Sequence, residues 1–168
     1  SRGSVRNTRI MTGLISASNM PPDPEIIARA WCLEKTSITD LVGTRVATRL
    51  PQNPTLPFLV ITNAGGSLIS SDSQATINSN SIVFNAYAGR YGGSGSKGEP
   101  DFTSASNLAQ AVFKELIIES NNQVTTSGGT KAHIYGYTVT LTPTRIEEPE
   151  LLLANFEIVA DMTYRASS

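Results

Sequence analysis

A single cysteine and a single histidine in 168 residues leave this sequence little equipment for covalent or metal chemistry. Cys32 has no partner in the chain for a disulfide, which fits a reducing compartment. His133, without a cluster of other donors, does not make a His/Cys zinc site. An excess of positive charge is missing as well: 13 Lys and Arg stand against 14 Asp and Glu, with a pI near 5.8. That balance excludes the broad cationic footprint of a dedicated nucleic-acid binder. No apolar run approaches the roughly 18 residues that a membrane-spanning helix needs, and MTGLIS is too short for a signal-peptide core. The expected setting is the cytoplasm, or an assembly built there.

What is present is the composition of an ordinary globular chain, 39% hydrophobic and 16% charged, with length for one core. Residues 1–20 carry Arg2, Arg6 and Arg9 among Ser, Thr, Asn and Gly, without periodicity, and read as a flexible N-terminal arm; residues 21–168 read as one domain. Asp23 is a natural N-cap ahead of Pro24, and Ile26, Ile27, Ala30, Trp31 and Leu33 make an apolar stripe, so a helix of about three turns begins there. Glu25 and Arg29 are spaced to pair on its outer face. SITDLVG reads as a short helical turn ended by Gly43, followed by a strand through Val46 and Leu50.

Three prolines then crowd RLPQNPTLPFLVIT. Each fixes φ and biases its predecessor toward extended backbone, so they form a stiff lead-in to FLVI, a strand without alternation and covered on both faces. A proline at a strand's first position loses no ladder bond. Residues 65–80 read as a polar loop and SIVFNAYAG as a strand paired with 57–63. GRYGGSGSKGEP is glycine-rich but lacks the GxxxxGK[ST] spacing, so it reads as a loop without a phosphate site. From Thr103 or Ser104, SNLAQAVFKELII places Leu108, Ala109, Val112, Phe113, Leu116 and Ile117 on one helical face. Two strands end the chain. KAHIYGYTVTLTP sets Tyr135, Tyr137, Val139 and Leu141 together; LLANFEIVADMTYR sets Leu152, Ala154, Phe156, Ile158, Ala160, Met162 and Tyr164 against Asn155, Glu157, Asp161, Thr163 and Arg165. RIEEPEL joins them as an acidic hairpin tip.

Hairpin-paired strands with only two main helices indicate an α+β fold, in which a largely antiparallel mixed sheet of about four to six strands carries both helices on one face. The other face and the long edges are left for partners.

The succession TRVATRLPQNPTLPFLVIT, SIVFNAYAG, SNLAQAVFKEL and YTVTLTPTRIEEPELLLANFEIVADMTYR, spanning roughly residues 38–165, resembles the tail terminator (tail completion) proteins of long-tailed phages. The proline lead-in to an apolar strand, and an arginine before an acidic turn and an alternating last strand, carry the resemblance. The N-terminal arm and the segments 65–80 and 89–101 depart from it. What it implies is a structural virion protein at the tail-neck junction, assembled in the host cytoplasm, without cofactor or membrane. Such a protein forms a hexameric ring on the tail tube, stops addition of the major tail tube protein and meets the neck or connector protein. DNA passes through its lumen without sequence-specific binding. Contacts with neighbouring subunits or the tube are expected from Arg2, Arg6 and Arg9, from Arg45 and Arg49, from Arg90, Tyr91 and Lys97, and from Glu147, Glu148 and Glu150.

Two other classes compete. A neck ring, a head-completion or head-tail connector protein, shares the size, charge and assembly logic. An enzyme needs a nucleophile with a base, or paired carboxylates in a cleft. The carboxylates of the 147–150 turn are too solvated for raised pKa values, so the expectation is no catalysis.

Overall fold

The computed structural model describes residues 23–71, 76–90, 98–148 and 152–167. Helix α1 (Pro24–Leu33) starts as its sequence indicates: the Asp23 carboxylate accepts from the Glu25 amide at 2.8 Å, and Pro24 occupies the first turn, where a missing N–H costs nothing. Ile27, Ala28, Ala30, Trp31 and Cys32 turn inward, while Ile26 of the expected stripe stays exposed. Glu25 and Arg29 do not pair with each other. Arg29 Nε donates to the Val46 carbonyl at 2.6 Å, and Glu25 accepts from the Asn63 amide at 3.4 Å. Strand backbone lies beside this face of the helix, and its unpaired groups compete for both side chains.

Helix α2 (Thr36–Val42) is short and stops at Gly43, whose φ of 58° suits a residue without a side chain. Helix α3 (Phe102–Ile118) is capped by Asp101, two or three residues ahead of the expected Thr103 or Ser104: one carboxylate oxygen accepts from the Ser104 amide and the other from its hydroxyl. Its buried stripe is Ala105, Leu108, Ala109, Val112 and Leu116. Ile117, expected on that stripe, is exposed.

The strands are β1 (Val46–Ala47), β2 (Phe58–Ser71), β3 (Thr76–Ala88), β4 (Ser120–Thr125), β5 (Lys131–Glu148) and β6 (Leu153–Ser167). They form one sheet in the order β1-β2-β3-β6-β5-β4. The β1–β2 pair is parallel and every other neighbouring pair antiparallel. The helices pack on one face, α1 against β1 to β4 and α3 against β3, β5 and β6. The fold is α+β, with a mixed and largely antiparallel sheet, as the order of elements predicts. No described helix is long and apolar enough to cross a membrane.

Alternation sorts the strand residues. Leu59, Ile61, Ile82, Phe84, Ala86, Ile134, Ile158, Ala160, Met162 and Tyr164 join Trp31, Leu108 and Val112 in the main core. Toward the β2–β3 turn this face becomes polar: the Tyr164 hydroxyl donates to Asn80 at 2.8 Å, and the Asn80 amide donates to Asn63 at 3.0 Å.

Three expectations about loops and faces fail for local reasons. The polar stretch 65–80 is mostly strand, since β2 runs to Ser71 and β3 starts at Thr76. Backbone pairing at the exposed end of β2, and of a β3 start that lies between two strands, needs no apolar alternation, so the pattern gives no signal. Glu147 and Glu148 belong to β5 and not to a hairpin tip. In β5, register shifts between Ile134 and Gly136 and between Val139 and Leu141 break the period. Tyr137 and Val139 therefore pack with the core, whereas Leu141 pairs with Val159 on the opposite face.

The proline segment 48–57 links the parallel strands β1 and β2. Leu50 and Leu56 pack with Ala47 and Leu153 around Phe58, Val60 and Tyr87, the residues that alternate with the main core. The prolines therefore deliver the strand as expected, and they also carry two leucines over the sheet's second face. That explains why FLVI lacks alternation: this end of β2 is covered on both sides.

Candidate functional site

Beyond that leucine patch, none of the described helices lies over the second face. Register pairs Asn85 with Glu157 and Glu157 with Thr144, Val83 with Val159 and Leu141, and Ser81 with Asp161 and Thr138. Among the described residues, this middle band carries carboxylates, hydroxyls and small apolar groups and no lysine or arginine. Ser81 donates to Asp161 at 2.5 Å.

The two ends of the face differ in charge. Beside the leucine patch, the buried Asn155 amide donates to Glu148 at 2.8 Å. Burial, then the nearby Glu148 and Glu157 carboxylates and a hydrogen bond to Glu148, push the Tyr87 phenol up to about 12. At the far end Arg165 Nε donates to the Tyr135 hydroxyl at 2.8 Å. The His133 ring stands edge-on to Tyr135 with centroids 4.8 Å apart. Burial and the Arg165 charge lower the His133 pKa. The alternation of the last strand anticipated Asn155, Glu157, Asp161, Thr163 and Arg165 sharing a face. That Tyr87, Glu148, Ser81 and Tyr135 meet them carried no sequence signal, because pairing register decides it.

The expected contact residues are dispersed. Arg45 donates from Nε to the Pro57 carbonyl at 2.8 Å and from a terminal nitrogen to the Leu41 carbonyl at 3.3 Å, so its guanidinium ties the far end of the proline segment to the end of α2. Arg49 is exposed on that segment. Arg90 donates to the Leu152 carbonyl at 3.2 Å and bridges to Pro100. Glu147 pairs with Arg145 at 3.0 Å, and Arg145 lies over the Phe102 ring at 3.6 Å. Glu147 and Glu148, being consecutive in a strand, point to opposite faces. Arg2, Arg6, Arg9, Tyr91, Lys97 and Glu150 lie outside the described residues.

Catalytic geometry is not assembled from the candidates. Cys32 is fully buried, and burial drives its thiol far above the usual range. No group of three or more His, Cys, Asp or Glu that could hold a metal ion occurs among the described residues. A pocket lined by Glu99, Pro100, Phe102 and Arg145 has its guanidinium already engaged with Phe102 and Glu147. At the rim of the core, the Trp31 indole donates to Glu119 at 2.7 Å, and Lys35 pairs with the same carboxylate at 2.5 Å. This half-buried trio joins the end of α1 to the α3–β4 junction and is already mutually satisfied.

No family model and no curated protein matches this sequence. Among solved structures, the chain is similar to a chain of the virion of a native gene transfer agent (GTA) particle. The identity is 16% and the TM-score 0.49, over 78% of this chain and 86% of that chain.

Proposed function

We propose that this protein is a structural component of a phage-like virion, a tail terminator that closes the end of the tail tube as a ring and offers a surface to the neck. The observation that carries the reading is the uncovered sheet face, whose middle band of Glu157, Asp161, Ser81, Asn85 and Thr138 holds no lysine or arginine. A channel that DNA must traverse works best without clustered cations, because these hold phosphates by releasing counterions. This face therefore suits the lumen of a ring, with Glu148 beside it. The sequence resemblance over residues 38–165 supports the same role. A hexamer built from one repeated heterologous contact closes on itself and blocks further tube subunits. Arg49, Glu147 and the remaining candidate residues are assigned to contacts with neighbouring copies, the major tail tube protein or the neck.

The test is electron microscopy of particles assembled with this gene disrupted. Overlong tubes without heads are the expected result. Tails of normal length lying free beside filled heads move the role to a neck or connector ring, and intact infectious particles overturn both. A second reading as an enzyme has no observation in its favour.

A further inference from the structure

The second face of the sheet changes character at one end. There the start of β5 and the end of β6 bring Lys131, His133 and Arg165 together: Arg165 pairs directly with His133, and Lys131 is its diagonal neighbour, about 7–8 Å away. Compensating acids are missing. The sequence has no Asp or Glu between Glu119 and Glu147 and none after Asp161, and β2 and β3 carry no charged residue. Asp161 lies about 13 Å back along β6 at the usual rise per residue, and its carboxylate already accepts from Ser81. Lys131 is exposed and has no ion-pair partner among the described residues.

The Arg165 guanidinium is positioned by neutral groups. Nε donates to the Tyr135 hydroxyl and a terminal nitrogen donates to the Ala166 carbonyl at 3.0 Å, which engages two of its five N–H groups. These bonds fix the fork on the face without cancelling its charge, and that charge helps to lower the His133 pKa. Gln123, paired with His133, accepts from the Ser167 hydroxyl through Oε1 at 3.1 Å, so its amide nitrogen is left as a donor. Thr125, opposite Lys131, and Thr163 add hydroxyls to the same end. Two uncompensated cations among amides and hydroxyls are the side chains that contact nucleic-acid phosphates. We infer that this end of the face is a contact for the phosphate backbone of DNA, in which Lys131 and Arg165 neutralise phosphates and Gln123 donates to their oxygens. The inference rests on the reading of this face as the lining of a DNA channel and gives that channel a direction. Its middle band lets DNA slide, and one end holds it. In a closed ring every copy contributes the same pair, so a weak hold is multiplied into a collar.

Titrating the full chain with a short DNA duplex, while backbone amide resonances are followed, tests the contact. Shifts are expected at Gln123, Lys131, His133, Arg165 and Ser167 and not at Glu157. The logarithm of the affinity should fall against that of salt with a slope of about 2, the value for two neutralised phosphates. Lys131→Gln removes an exposed side chain and leaves the fold intact, and it should bring the slope to about 1. Arg165→Gln should do the same, while Lys114→Gln, exposed on α3 at the helix side, should leave the slope unchanged. An absence of shifts at low salt, shifts that map elsewhere, or a slope untouched by Lys131→Gln overturns the inference. Inorganic phosphate or polyglutamate that shifts the same amides equally at matched charge assigns the patch to a free anion or an acidic protein, and overturns it as well. These readouts are separate from tail length in gene-disrupted particles. A failed titration leaves the tail role standing, and a failed tail role leaves the salt slope to be read on its own.

Discussion

The two faces of this one sheet use adjacent residues of the same strands for different purposes. Leu59, Ala86 and Ile158 face the helices and are sealed in the core, while their neighbours Val60, Tyr87 and Glu157 face the other way. The helix side is a continuous apolar cluster around Trp31. The other side has one small patch, roofed by Leu50 and Leu56, and then a polar band. Stability is thus concentrated on one face, and the second is free to meet something else. Substitutions on it test recognition with little disturbance of the fold.

Removing the centre of the covered face should have the largest effect. Trp31→Ala should cost about 3–5 kcal/mol in urea unfolding, since it opens a cavity against Phe84 and Tyr137 and leaves Glu119 without its indole donor. Next comes the irregularity in β2 at Gly66, where the pairing with β3 shifts register. A Cβ on Gly66 would lie 2.1 Å from the Ser79 carbonyl oxygen, so backbone must move, and Gly66→Ala should cost about 1–3 kcal/mol in the same assay. The leucine roof should matter less. Leu56→Ala is expected to lose about 1–2 kcal/mol, because the side chain is only half-buried; a loss equal to that of Trp31→Ala would make the patch a second core and break the contrast.

The smallest effect is one of pH. Tyr87 on the uncovered face is raised to about 12, and Tyr137 and Tyr164 on the covered face are raised by burial. An acid whose folded pKa lies above its unfolded value contributes its full stabilisation below the unfolded pKa, near 10, and loses it as pH climbs toward the folded value. Thermal melts should therefore be flat across neutral pH and fall between about pH 10 and 12. Tyr87→Phe should soften that fall only in part; its complete loss in this variant would place all the alkaline sensitivity on the uncovered face.

Elements with strong local signals were legible in the sequence. Asp23–Pro24 announced α1, the repeat of Leu108, Val112 and Leu116 announced α3, and the alternation from Ala154 to Tyr164 announced β6 and its faces. What failed was decided by contacts distant in sequence. The register shifts in β5 sent Tyr135 and Tyr137 apart, β1 captured Arg29, and the far end of the β2–β3 pair hid in Ser, Thr and Asn because the exposed end of β2 has no apolar side to alternate. The candidate face was half legible: β6 supplied its acids, whereas Glu148 and Tyr87 joined them only through pairing. Arg45 and Arg49, offered by the sequence as contact residues, also part company through distant contacts: Arg45 binds backbone carbonyls and Arg49 stands in solvent.

The strip between β1 and β2 has a mechanical consequence. Arg45 ties its far end to α2, its leucines hold it down, and Arg49 stands exposed on it. A single cut after Arg49 divides the molecule into a leading piece with α1, α2 and β1 and a trailing piece with the remaining strands and α3. Trp31, Ile38 and Val42 of the leading piece are fully buried among side chains of the trailing one. The severed protein is thus a plug seated in a socket, held without covalent connection, and cleavage of the strip converts an intramolecular fold into a complementing pair.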